Sequence, residues 1–294
     1  MLNLSFAIFG TVLLTAAPVV LGEVWYDPVL GSLPDTQGWT YFTLPPIDAT
    51  FVDGAAVLDT SASAGIRGGW TRTANPPLIR AEGVRLLFTV EVVAETHTST
   101  DRAGFSVILL DQDRRGIELG FWTDKVWAQS DLPLFKHAEE GTLRASGGPV
   151  PCVLTLFGDR YQLAVQRPAA TDLEILQGPV RDYTAFTGAF DVYESPNFVF
   201  IGDDTTSASA KIRLQRVELI RGQTVPPTPA IGRITIGVQL HWPDAGGLDR
   251  WILESAADPV SGPWELESAG RREEAGSVVV DLDVNGSQRW FRLR

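Results

Sequence analysis

Leu86-Leu87-Phe88-Thr89-Val90-Glu91-Val92-Val93 is the stretch that decides the fold class. Leu86, Phe88, Val90 and Val92 fall on every second position, with Leu87, Thr89, Glu91 and Val93 between them. Successive side chains of a strand point to opposite sides, so this spacing predicts a β-strand with one face in a core. Phe105, Val107 and Leu109 repeat the pattern, as do Ile117, Leu119 and Phe121. Further short strands are expected at 153–156, 161–165, 173–176, 197–201 and 211–220. The breaks carry turn chemistry: Asp111-Gln112-Asp113, Thr123-Asp124-Lys125, Gly158-Asp159 and Gly202-Asp203-Asp204. No segment beyond residue 22 has the period of an amphipathic helix. The pattern predicts an all-β sandwich of jelly-roll type.

A chain of 294 residues holds two ordinary domains, or one large sandwich with an appendage. Hydrophobic residues at 44% and charged residues at 20% are enough for a packed core and exclude a disordered tail. Lys+Arg 24 against Asp+Glu 36 gives a net charge of −12, which repels phosphate backbones and argues against nucleic acid as a partner. One Cys and three His are too few for a Cys/His zinc site or a haem protein. Cys152 lies in an apolar run and reads as an inert buried thiol.

Residues 2–21 carry no charged side chain and close on small residues after Pro18. This predicts a signal peptide over 1–22, a mature chain opening at Glu23, and export to the extracellular space or cell surface. A retained anchor competes with that reading, since about 20 apolar residues can just span a bilayer. Membrane contact is expected through this segment alone, and no Cys follows it closely enough for lipoprotein attachment. The rest divides into a sandwich over 23–221, a linker over 222–232 containing Pro226, Pro227 and Pro229, and a small β module over 233–294. In the module Ile234, Ile236, Val238 and Leu240 alternate as one strand. Others are expected at 251–255, 264–267, 278–282 and 290–293, with Asn285-Gly286 as a hairpin turn.

Three runs carry a family resemblance: Asp101-Arg102-Ala103-Gly104-Phe105-Ser106-Val107, Gly116-Ile117-Glu118-Leu119-Gly120-Phe121-Trp122 and Val126-Trp127-Ala128-Gln129. Arg181-Asp182-Tyr183, Pro196-Asn197-Phe198, Gly202-Asp203-Asp204-Thr205-Thr206 and Gly38-Trp39 extend it across residues 24–221. The stretch resembles the choice-of-anchor domains of secreted bacterial proteins, relatives of the laminin-G-like and concanavalin-A-like lectin/glucanase fold. The resemblance implies a surface protein whose sandwich is joined to an anchoring or sorting module. Leu240-His241-Trp242-Pro243, Trp251-Ile252-Leu253-Glu254-Ser255, Gly262-Pro263-Trp264 and Trp290-Phe291-Arg292-Leu293-Arg294 resemble a small fibronectin-like module.

On the strand through 117–121, Glu118 and Trp122 share the face opposite Ile117, Leu119 and Phe121. A carboxylate beside an aromatic ring suits a sugar, the acid taking hydroxyls and the ring the apolar face. Trp127 and Gln129 alternate likewise on the next strand, and His97 and Arg102 can approach from loops. These six residues form the candidate ligand site. The competing expectation is that Trp122 and Trp127 fill the inter-sheet core and Glu118 pairs with an arginine. Glu118 is also the candidate acid of a glycan-cleaving enzyme. Retaining glycosidases need two carboxylates about 5–5.5 Å apart, and Gly120 stands where the second acid of a sandwich glucanase would be. The Tyr–His base arrangement and Gln-Ile-His-type strand of sandwich lyases are missing too. Asp111, Asp113, Glu139 and Glu140 read as solvated turn charges.

No serine-nucleophile signature, Gly-rich phosphate loop or metal-spaced His pair is present. Calcium needs only oxygen ligands, and Asp203 and Asp204 with Thr205 could supply them, together with Asp53; a hydrogen-bonded turn explains the same residues. The leading expectation is an exported, non-catalytic protein that binds an extracellular polysaccharide or matrix polymer. A glycan hydrolase or lyase using Glu118 and a purely structural surface protein are the alternatives.

Overall fold

The computed structural model describes residues 22–166, 172–188 and 191–222 without a break, and beyond them the strands of the C-terminal part. The expected signal segment up to residue 21, most of the linker (223–229), Ile236 and the Asn285-Gly286 turn lie outside the described residues.

Two antiparallel sheets form the sandwich. The first runs β13 (Leu173–Pro179), β12 (Arg160–Val165), β11 (Val150–Phe157), β6 (Val84–His97), β16 (Ala208–Arg221), β4 (Ala55–Asp59), β3 (Thr50–Val52), with β1 (Glu23–Tyr26) also on β16. The second runs β10 (Leu134–Thr142), β9 (Lys125–Asp131), β8 (Arg115–Phe121), β7 (Ser106–Leu110), β15 (Phe198–Asp203), β5 (Arg67–Thr73), β2 (Thr40–Leu44), with β14 (Arg181–Asp182) also on β8. Among the described residues the only helices are two 3-10 turns, Pro28–Leu30 and Pro34–Gln37.

Period-two sequence produces this architecture directly. On β6, Val84, Leu86, Phe88, Val90 and Val92 are buried, and the residues between them are partly exposed. They meet Val107, Leu109, Ile117, Leu119, Phe121, Val126, Ala128, Val199 and Ile201 of the second sheet in one core. Phe88 and Phe121 touch edge to face across it, ring centroids 6.2 Å apart. Cys152 sits in this core as a free thiol, its pKa pushed up to about 12 by burial.

The second sheet is apolar on its other side as well. Ile108, Leu110, Phe198 and Phe200 are covered there by Tyr183 and Tyr193, with Phe135 and Phe186 packed against them. The cover is an irregular strap, residues 183–188 and 191–197 among the described residues, lying in the chain between β14 and β15. Two readings of turn charge are corrected. Asp111 is fully buried: its carboxylate accepts the backbone N–H groups of Asp113 and Arg115 at 2.8 and 3.0 Å and pairs with Arg80 at 2.6 Å. Glu139 lies on β10, where its carboxylate accepts from the Tyr161 hydroxyl at 2.9 Å and from Arg181 at 2.5 Å. Asp203 belongs to strand β15 rather than to a turn.

In the C-terminal part, β17 (Ala230–Ile234), β18 (Gly237–Pro243), β22 (Ser277–Asp283) and β21 (Arg271–Glu274) form one sheet. β20 (Glu265–Leu266), β19 (Leu253–Ala256) and β23 (Trp290–Leu293) form another. The single strand expected through 234–240 is two antiparallel strands, with Ile234 opposite Gly237. The strand at Ala230 also begins inside the stretch read as linker.

Candidate functional site

Glu118 lies on β8 with its side chain on the strap side of the second sheet, and it is fully buried. Its backbone N–H donates to the Tyr183 hydroxyl at 3.2 Å, and that hydroxyl donates to the Gln129 carbonyl at 2.7 Å. The Tyr193 hydroxyl donates to the Glu118 carboxyl in a short hydrogen bond. Arg102 reaches the other oxygen at 3.5 Å. The strap is thus fastened to the sheet by two tyrosines, Tyr183 at the backbone of Glu118 and Gln129 and Tyr193 at the Glu118 carboxyl.

Arg102 comes from the loop between β6 and β7 and is the hub of the polar layer. Besides Glu118 it pairs with Asp204 at 3.3 Å, donates to Thr205 Oγ1 at 3.3 Å, and sits over the Phe135 ring at 4.9 Å. Ser106 donates to the same Asp204 oxygen at 3.2 Å. Asp203 accepts from the Thr60 hydroxyl at 2.6 Å and from the Thr205 backbone N–H at 3.1 Å.

Burial and the charge of Asp204 push the Glu118 pKa up to about 8, against Arg102 and Tyr193, which favour its charged form. Burial likewise lifts Asp203 to about 8, outweighing the bonds from Thr60 and Thr205. Burial opposes the charge of Arg102, but Asp204 and Glu118 outweigh it and hold Arg102 firmly protonated. Tyr193 is raised well above the ordinary tyrosine range, first by burial and then by Glu118 and Asp204.

The six expected ligand residues do meet in one network. The Trp122 indole N–H donates to the Arg102 carbonyl at 3.2 Å, and Gln129 Nε2 donates to the Asp101 carbonyl at 3.0 Å. His97 stacks on Trp122, ring centroids 3.9 Å apart and planes 4° apart. Trp127 meets Trp122 edge-on at 4.7 Å, and Lys125 Nζ stands 5.4 Å from the Trp122 ring centroid.

The network is not an open sugar platform, which corrects that expectation. Glu118, Trp127 and Gln129 have no exposed surface, and the Trp122 ring is already in contact with His97 and Trp127. The competing expectation was half right. Glu118 does pair with an arginine, but Trp127 lies outside the inter-sheet core, on the strap side with Glu118. Gly120 is where the Trp127 indole passes: a Cβ there would stand 2.8 Å from its ring. An acid at 120 would therefore displace the indole, and no second carboxylate belongs at that position.

The cavity opens beside this network. It has a volume of about 530 Å³, and Arg102 is the single member of the expected six among its lining residues. Phe42, Phe135, Phe186, Phe198 and Phe200 give it aromatic walls. Tyr193, Asp191, Asp203, Asp204, Thr205 and Thr206 add polar groups. The sequence signal for this wall was Phe198 and Phe200 alternating on a strand whose other face, Val199 and Ile201, enters the core. The strap residues gave no periodic signal.

The expected calcium ligands are engaged within the protein. Among the described residues no group of three or more His, Cys, Asp or Glu is arranged to hold a metal. Asp203 is bonded to Thr60 and Thr205, and Asp204 to Arg102 and Ser106. Asp53 lies in the β3–β4 turn, where its carbonyl accepts from Arg213.

No protein-family model matches the chain, and no curated protein matches its sequence. Solved structures do match. Carbohydrate esterase vb_24B_21 of the Shiga toxin-encoding bacteriophage phi24B aligns with a TM-score of 0.50 at 9% identity, over 69% of this chain and 100% of that one. A protein of unknown function with a galectin-like fold from Bacillus subtilis aligns with a TM-score of 0.42 at 9% identity, over 68% and 96%. The exoplasmic/lumenal domain of VIP36 in its Ca2+/Man2-bound form aligns with a TM-score of 0.42 at 7% identity, over 68% and 87%. At such identities the likeness is one of fold alone.

Proposed function

We propose that the chain is an exported, non-catalytic carbohydrate-binding protein whose glycan site is the cavity between the strap and the outward face of β15. The observation that supports it is the composition of the wall: several phenylalanine rings converge with hydroxyl, carboxylate and guanidinium groups around one opening. Sugar rings present an apolar C–H face and an equator of hydroxyls, and such a wall answers both. Glu118, buried behind the wall, serves as a structural anchor and not as an acid catalyst. The C-terminal strands fit the spacing or attachment role that the choice-of-anchor likeness implies.

The test is a glycan array with the full chain, followed by titration of any ligand found against wild type and Phe186→Ala. Phe186 is half-buried in the wall and packs on Phe135 at 5.3 Å and on Tyr193 at 5.6 Å. Removing one aromatic wall should weaken binding roughly tenfold, on the scale of ~1–2 kcal/mol for an aromatic contact. Lys211→Ala, on the first sheet, should leave affinity unchanged. An array with no glycan bound, or undiminished binding by folded Phe186→Ala, would defeat the proposal.

A further inference from the structure

The charges around the cavity are arranged to satisfy one another. Among the described residues the charged ones that line it are Arg67, Arg102, Asp191, Asp203 and Asp204. Arg102 donates through Nε to Thr205, through Nη1 to Glu118 and through Nη2 to Asp204, and its side chain is only 16% exposed. Arg67 is engaged as well. Asp191 accepts the Tyr193 backbone N–H at 3.1 Å, within the strap. Asp191 and Asp204 thus stand against Arg67 and Arg102 on the wall, burial leaving Asp203 and Glu118 largely protonated below about pH 8, and the whole chain carries a net charge of −12.

An anionic ligand entering here meets Arg102 with its charge already matched by Asp204, and Arg67 already engaged. To pair with Arg102 it would have to displace Asp204 or lie beside it, like charge next to like charge in a half-enclosed space. A carboxylate or sulfate would also give up its hydration without gaining an opposite charge, which is costly. A hydroxyl meets none of these penalties. It can donate to Asp204 or accept from Thr206 while the ring rests on the phenylalanine wall.

We infer that the cavity takes uncharged polyhydroxylated sugars and excludes uronate and sulfated ones, with the Arg102–Asp204 pair setting that choice. The inference rests on the carbohydrate-binding reading and narrows it. It is tested on the full chain with length-matched pairs: galactohexaose against hexagalacturonate, mannohexaose against hexamannuronate, and the neutral galactohexaose against its sulfated form. Where a pair binds, the neutral member should bind at least tenfold more tightly at 0.15 M salt. The gap should widen at low salt, because the repulsion is then screened less.

Asp204→Asn removes one of the charges that match Arg102. It should narrow the gap at least threefold, through weaker neutral binding and stronger uronate binding. Equal or tighter binding of the anionic members overturns the charge selectivity while leaving carbohydrate binding standing. A gap unmoved in folded Asp204→Asn overturns the role given to the pair. If no member of any pair and no glycan of the array binds, carbohydrate binding itself fails and takes this inference with it.

Discussion

On strand β8, Ile117, Leu119 and Phe121 turn toward the first sheet, while Glu118 turns toward the strap, so two environments meet within one strand. The inward side is an ordinary apolar core held by area burial, insensitive to pH and tolerant of any well-shaped hydrocarbon. The outward side is just as buried, yet Glu118 and Gln129 lie there, and its order depends on particular hydrogen bonds. Core burial accounts for the sandwich, whereas the polar layer shapes the cavity. The difference teaches where substitution should cost fold and where it should cost function.

The largest expected effect is on the inward side. Leu119→Ala should destabilise the sandwich by ~2–5 kcal/mol, the transfer cost of the lost methyl groups plus that of the cavity left behind. Denaturant unfolding would show it, and ligand affinity of the folded fraction should stay within a factor of two. Tyr193→Phe should cost less, ~1–3 kcal/mol, by leaving the Glu118 carboxyl without one of its side-chain partners. Unlike Leu119→Ala it should also weaken ligand binding, because Tyr193 both lines the cavity and fastens the strap. If Tyr193→Phe loses stability but binds as wild type, the strap does not shape the site. If Leu119→Ala weakens binding as much as Tyr193→Phe, the two faces are not separable.

The inward side was almost wholly legible in the sequence, because β geometry writes itself into period two and each strand can be read alone. Leu86, Phe88, Val90 and Val92 needed no partner to declare their face. The outward side was legible only as a list of residue types. Of the residues expected around Glu118, Arg102 reaches its carboxyl, while Trp122, Trp127 and His97 contact one another. That Glu118 would be closed off was not visible, because the group that closes it, Tyr193, lies 75 residues away in an irregular segment. Asp111 was misread for the same reason: its partner Arg80 arrives from 31 residues earlier. Gly120 marks the boundary of legibility. It shows an absent acid in the sequence and a seated indole in the structure.

The smallest effect expected is also the most specific to the buried carboxyl groups. Glu118 and Asp203 have pKa values pushed up to about 8, so the folded chain keeps protons that the unfolded chain releases at ordinary carboxylate pH. Between the unfolded value and about 8 the folded state holds more protons, so stability falls as pH rises through this window. The contribution is whole below the ordinary carboxylate pKa and gone above about 8. Asp101, beside Lys136, and Asp182, bonded by Thr184, are shifted down, so their contribution is lost only in acid. The two trends together place maximal stability in mildly acidic solution. A retained proton is worth at most ~1.4 kcal/mol per pH unit, and a net slope of ~1 kcal/mol per unit between pH 6 and 8 is expected, or ~2–4 °C in Tm. Glu118→Gln can still accept the Tyr193 hydrogen bond but cannot ionise, so its melting curve should be flatter over the same range. Asp203 and Glu95, both shifted up by burial, would then supply the slope that remains, opposed by His137, whose pKa burial lowers. Melting without ligand at pH 5.5, 6.5, 7.5 and 8.5 on both chains decides the matter. A wild type that is no less stable at pH 8.5 than at 5.5 would mean that the carboxyl beneath the strap is ionised in the fold, and that its pairing with Arg102 prevails over its burial.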